Sequence, residues 1–205
     1  MGTRRGEAMR GWYSRGYLPH YDEPGKVQFI TYRLKDSLPK VVLESYDEAL
    51  RRGEIDSLGR KRRIERYLDK GHGACWLRQP QVAEMVQENL RYFDGQRYRL
   101  IAWCVMPNHV HTIVETFEGY PLEAVTHSWK SYSAHQLNRI VGRKGAVWQT
   151  EVFDRYMRGP LHLARTLFYV EQNPVVANLV AEAEAWPYGS ARFREEMEPY
   201  DTHHL

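Results

Sequence analysis

Two short apolar runs, separated only by Pro107-Asn108, constrain this chain more than any other feature. Residues 97 to 106 read RYRLIAWCVM and residues 109 to 116 read HVHTIVET. Both are rich in β-branched and aromatic residues and each is the length of a strand, while Pro-Asn favours a turn. The pattern predicts an antiparallel hairpin. Because strand side chains alternate between faces, His109 and His111 must project from one side and Val110 from the other. A hairpin alone cannot bury its apolar faces, so further elements are needed. Residues 27 to 34 (VQFITYRL) alternate like a strand, and residues 147 to 159 (VWQTEVFDRYMRG) read as extended. Helical signals lie between them. One crossover covers residues 37 to 71, broken at Gly59. A second helix starts at Pro80 and stops before Gly95. A third runs from Pro121 to about Val141, and a fourth reaches Asn173-Pro174.

With 205 residues, 42% hydrophobic and 27% charged, the chain suits one packed domain with appendages, not a disordered or rod-like protein. No apolar stretch approaches the roughly 18 residues of a membrane span, and the arginine-rich N-terminus lacks a signal-peptide core. A cytoplasmic protein without a membrane partner is expected. Cys75 and Cys104 show neither metal nor disulfide spacing. The net charge is only +3, yet the cations cluster: Arg4, Arg5, Arg10 and Arg15 against Glu7 give residues 1 to 20 a net +3 (four minus one). Residues 60 to 63 (RKRR) form a second basic run, and Glu195, Glu196, Glu198 and Asp201 make the end acidic. Clustered arginines suit a polyanionic partner, and equally suit a solvated face.

The helix after the hairpin carries a second pattern. At about 100° per residue, Leu122, Val125, Trp129, Tyr132, Gln136 and Ile140 fall in a sector roughly 80° wide. That face should pack on the sheet. Tyr132 and Gln136 are i and i+4 on it, presenting a phenol and a neutral amide together, whereas His135 points aside. Read without other knowledge, the stripe is either part of a site or an ordinary core-facing surface.

AWCVMPNHVHTIVE, followed by HSWKSYSAHQLNR, GRKGAVWQTEVFDRYMR and YVEQNPVVANLV, resembles the REP-associated tyrosine transposases, a branch of the HUH single-stranded DNA transposases. The likeness extends over residues 11 to 194. It implies an α+β fold: a ferredoxin-like antiparallel sheet with helices packed on one face, an irregular basic N-terminal arm and a helical C-terminal extension. The corresponding division is an arm over 1–25, a catalytic domain over 26–145, an extension packing on it over 146–194, and an acidic tail over 195–205. The resemblance further implies a divalent metal, Mg2+ or Mn2+, held by His109, His111 and Gln136, with Tyr132 as nucleophile. Tyr156 is a second candidate nucleophile, and His135 an alternative third ligand. The implied partner is hairpin-bearing single-stranded DNA, cut and rejoined through a 5′-phosphotyrosine by a monomer or homodimer. Arg4, Arg5, Arg10, Arg15, Lys130, Arg139, Arg143 and Lys144 are expected to hold phosphates, and Trp12, Tyr13, Tyr17 and Trp148 to stack on bases. The alternatives are a non-catalytic module that binds a DNA or RNA hairpin, and a zinc-type hydrolase.

Overall fold

The structure is a computed structural model that describes the backbone of residues 11–14 and 19–203 and the side chains of residues 23–203. Strand β1 (Gly11–Ser14) pairs with β2 (Pro19–Asp22). Then follow β3 (Val27–Arg33), α1 (Lys40–Arg51), α2 (Ser57–Asp69), α3 (Pro80–Arg91), β4 (Tyr98–Val105), β5 (His109–Thr116), α4 (Leu122–Ile140), β6 (Phe153–Tyr156) and α5 (Pro160–Val176). The main sheet has the order β4-β5-β3-β6 and every neighbouring pair is antiparallel. The expected hairpin is present. Val105 lies opposite Val110, and the Met106 amide donates to the His109 carbonyl at 2.9 Å.

The expected α+β class is found, with one difference in layering. Helices cover both faces of the sheet, not one. β4 and β5 are buried almost throughout, so neither face can stay wet and each needs a layer. On the first face, Ile30, Tyr32, Val110 and Val114 pack with α3 and α4. On the second, Val27, Phe29 and Ile113 pack with Leu163 and Val170 of α5. A bulge between Leu100 and Ala102 lets both Ile101 and Ala102 join the second core. The fourth strand and α5 come from beyond residue 145, so that segment completes the sheet and its second layer. The N-terminal arm is also more regular than expected, since residues 11–14 and 19–22 form a two-stranded ribbon.

The buried stripe of α4 is rotated from the expected one. It consists of Leu122, Val125, Thr126, Trp129, Ser133 and Leu137, while Tyr132 is 51% exposed. Two hydroxyls are tolerated inside because they bond locally: Thr126 Oγ1 donates to the Glu123 carbonyl at 3.1 Å and Ser133 Oγ to the Trp129 carbonyl at 2.6 Å. Ser133 Oγ in turn accepts from the Trp148 indole at 2.9 Å. Trp129 anchors the layer, edge-on to Tyr98 at 5.1 Å with its N–H on the Tyr98 hydroxyl at 2.9 Å.

Candidate active site

The alternation of β5 places both imidazoles on the second face, between Phe29 and α5. His111 stacks on Phe29 at 5.5 Å between ring centroids and meets Tyr169 of α5 at 5.4 Å. His109 and His111 are 1% and 0% exposed, and their Nε2 atoms lie 3.0 Å apart. Burial, followed by the charge of Arg33, lowers the pKa of His109 to about 3, and burial first, with His109 and Lys61, lowers that of His111. Both rings are therefore neutral at physiological pH, the form that ligates metals.

Hydrogen bonds fix which nitrogen of each ring faces the site. Asn108 Nδ2 donates to the Leu68 and His72 carbonyls at 3.0 and 2.9 Å, so its Oδ1 is the acceptor. His109 Nδ1–H therefore donates to Asn108 Oδ1 at 2.7 Å, and its Nε2 carries a lone pair. His111 Nδ1 meets Thr31 Oγ1 at 2.8 Å. With the Thr31 hydroxyl donating, His111 Nε2–H bonds to His109 Nε2. With that hydroxyl turned to accept, both Nε2 lone pairs become free for one ion. The asparagine of the Pro-Asn turn is thus part of the site, clamping the end of α2 to the imidazole.

Three further polar atoms converge on this patch without hydrogen-bond partners. They are Tyr169 Oη, Asn173 Oδ1 and Asp69 Oδ1, all buried. Tyr169 and Asn173 are i and i+4 on α5, hence neighbours on its surface. The Asn173 amide lies 3.4 Å from His111 Nε2, and turning it over would present Oδ1 there. Asp69, the last residue of α2, sits 3.8 Å from His109 Nε2. Burial, then Glu65, raises its carboxyl to about 6, and its charge at the negative end of a helix is unfavourable without a cation. Burial is also the main reason that the Tyr169 phenol is raised well above its usual range, with the Glu65 and Asp69 carboxylates adding to it.

A divalent ion fits these donors. Among the described residues no three His, Cys, Asp or Glu side chains group closely enough to hold an ion by themselves. Two imidazoles plus the unpartnered Asn173 amide oxygen make a mixed nitrogen and oxygen set, with the orphaned Asp69 oxygen placed to accept from a coordinated water. Such a set suits manganese and admits magnesium.

Residues 77–173, which hold both histidines, Tyr169 and Asn173, match the family model described as Transposase IS200 like. A Haemophilus influenzae protein named REP-associated tyrosine transposase is 27% identical over 103 residues, which are 45% of this chain and 58% of that relative. The matched stretch thus spans less than two thirds of the relative's length. A solved structure described as a REP-associated tyrosine transposase bound to a REP hairpin superposes with a TM-score of 0.55 at 16% identity, covering 93% of each chain. Over part of its length the chain is thus similar to transposases, and its fold is that of the hairpin-bound structure. Among the described residues, no helix is long and apolar enough to cross a membrane.

The residues expected to form the site separate into two groups. His109 and His111 share a patch, as period-two alternation predicts. Tyr132, Gln136 and His135 do not join them, because α4 packs on the opposite face and these residues lie on its outer surface, around an open hollow with His127 and Ser131. Tyr156 pairs with Gln28, which alternates with Phe29, so it too belongs to the far face. Lys130 does not offer a free ammonium: it donates to the carbonyls of Gln149 and Thr150, both at 2.7 Å. Arg143 donates to the Ala146 carbonyl at 3.3 Å, Arg139 and Lys144 are exposed, and Trp148 is buried against Tyr32. Arg4, Arg5, Arg10, Arg15 and Tyr17 lie outside the described residues, as do the side chains of Trp12 and Tyr13. Sequence reasoning missed Asp69, Asn108, Tyr169 and Asn173. For the last two a signal existed: a phenol and an amide four residues apart just before Pro174, in a helix otherwise rich in apolar residues.

Proposed function

We propose that this protein is a metal-dependent single-stranded DNA nuclease and strand transferase that acts on hairpin-bearing DNA through a 5′-phosphotyrosine on Tyr169. The observation that carries the reading is the convergence of two buried, neutral imidazoles with three unpartnered buried polar atoms on one patch, one of these a phenol oxygen. The relationship to transposases, one of which is described as bound to a REP hairpin, supports DNA of that shape as substrate.

His109, His111 and Asn173 would hold the divalent ion, which supplies Lewis-acid charge to the phosphoryl oxygens when bound. Every other task falls to the chain. Asn108 and Thr31 orient the two rings. Tyr169, protonated at rest because its pKa is raised, attacks phosphorus through Oη as its proton passes to a carboxylate of α2, Glu65 or Asp69. The Oη–P bond forms, the P–O3′ bond breaks, and the departing 3′-oxygen takes a proton from water. One phosphoester replaces another, so the link can be reversed by a second 3′-hydroxyl, as strand joining requires and hydrolysis does not.

The test is covalent capture. Labelled hairpin-bearing single-stranded DNA incubated with the protein and Mn2+ should give an adduct that survives a denaturing gel. Tyr169→Phe should abolish it, while Tyr132→Phe and Tyr156→Phe should retain it. Adduct persisting in Tyr169→Phe refutes the assignment, and binding without adduct in the wild-type protein favours the non-catalytic module.

A further inference from the structure

Next to Tyr169 the second face opens into a cavity of about 150 Å³ whose basic side chains have no part in the chemistry above. Its wall carries Lys61 from α2, Arg155 from β6 and Arg165 from α5, over a floor of Phe29 and the Tyr169 phenol, and Glu65 is the one acid among its lining residues. Lys61 is held in place: its ammonium lies 5.0 Å over the Phe29 ring, 4.4 Å over Phe153 and 3.4 Å from Glu65. The cations repel one another. Burial first, and then Arg155, pulls the Lys61 pKa down, and His162 on the same wall is lowered by burial and by Arg155, Arg158 and Lys61. Three positive side chains against one negative, around a partly enclosed space, constitute an unbalanced field that an anion would relieve.

Geometry narrows the anion. The cavity borders the side chain of the tyrosine proposed to attack phosphorus, and one turn along α5 from Arg165 stands Phe168, an aromatic that is 66% exposed. A guanidinium beside a bare ring is the pairing that takes a phosphate and its base together.

We infer that Lys61, Arg155 and Arg165 form a seat for a backbone phosphate of the single strand flanking the cut, with Phe168 stacking on the adjoining base. This deepens the reading of Tyr169 as nucleophile and rests on it for the position of the cut.

The experiment measures binding alone, in chelator and with Tyr169→Phe as the parent protein, so that no adduct forms whichever residue is the nucleophile. Fluorescence anisotropy would follow a hairpin with a single-stranded flank and the same hairpin without one, from low to moderate salt. Arg155→Gln, Arg165→Gln and Phe168→Ala should each weaken binding of the flanked DNA by roughly 3- to 30-fold, on the scale of one lost phosphate or stacking contact. The two arginine variants should also make the slope of log affinity against log salt shallower by about 0.7. Binding of the flankless hairpin should stay within twofold, and Arg155→Lys should recover most of the loss, which separates a missing charge from a damaged fold. Equal losses on both DNAs, or none on either, would overturn the seat. So would competition by millimolar inorganic phosphate beyond its ionic strength, which would mark a pocket for free phosphate. These outcomes do not depend on whether Tyr169 is the nucleophile, which the adduct experiment decides separately.

Discussion

Replacing Asn108 by alanine should damage folding and metal binding together. Its amide donates to two carbonyls and its oxygen accepts from His109, all at 2.7 to 3.0 Å and within the interior. The Leu68 carbonyl keeps a second donor, the Gly71 amide at 2.8 Å, so its loss is partial. The His72 carbonyl keeps only a weak thiol donor, Cys75 Sγ at 3.7 Å, and the His109 Nδ1–H is left without a partner. Each weakened or orphaned buried group costs about 1–3 kcal/mol, which gives about 2–6 kcal/mol for the two. For a chain of this size each kcal/mol lowers Tm by about 2–4 °C, so a fall of about 4–24 °C is expected by circular dichroism. Freed from Asn108, the His109 ring loses its fixed tautomer. Removing such an outer hydrogen bond typically weakens metal affinity by about 10- to 100-fold, readable by Mn2+ titration with electron paramagnetic resonance. Asn108→Asp should be no better, because it sets a carboxylate against two carbonyl oxygens. An alanine variant with unchanged Tm and unchanged Mn2+ affinity would refute the bracing role assigned to this side chain.

In chelator, stability should fall as the solution is acidified. Both imidazoles are kept neutral when folded, so below pH 6.5 the unfolded chain binds more protons, at about 1.4 kcal/mol per pH unit for each ring. The raised Asp69 carboxyl works the other way between about pH 6 and 4, leaving a net loss of about 1.4 kcal/mol per unit there; urea midpoints at pH 7 and 5 measure it, and a midpoint that rises on acidification contradicts the assignment. Ser133→Ala leaves the Trp148 indole N–H unpaired in the interior and should cost about 1–3 kcal/mol by urea unfolding. Gln136→Ala, by contrast, should change neither Mn2+ affinity nor adduct yield by more than about twofold, since Gln136 faces away from the histidines.

How far the chain could be read in advance depended on the range of the interactions involved. The β4–β5 hairpin and the shared direction of His109 and His111 were legible because a turn dipeptide and a two-residue period are local. The helix ends at Pro80, Gly95 and Pro121 were legible for the same reason. The face of the sheet that each helix covers was not, because it depends on crossovers tens of residues long. Counting only apolar residues moved the buried stripe of α4 off Thr126 and Ser133, whose hydroxyls are paired with nearby backbone, and so turned Tyr132 inward. α5 carried Tyr169 and Asn173 at the right interval, but no local pattern says that this helix lies over the histidines. Asn108 was legible as a turn residue and hidden as a clamp, since its partners at 68 and 72 are remote in sequence.

The position of β3 in the sheet has a consequence for anyone trimming this protein. It is inserted between β5 and β6, although in sequence it precedes both by at least 75 residues. An excised fragment beginning at residue 77 would therefore lose the middle rung of its ladder. β6 would have nothing to pair with, the backbone of β5 would be bare along one edge and open to other chains, and His111 would part from Thr31. The stretch that matches the family model is thus not a unit that can be cut out and expected to stand alone.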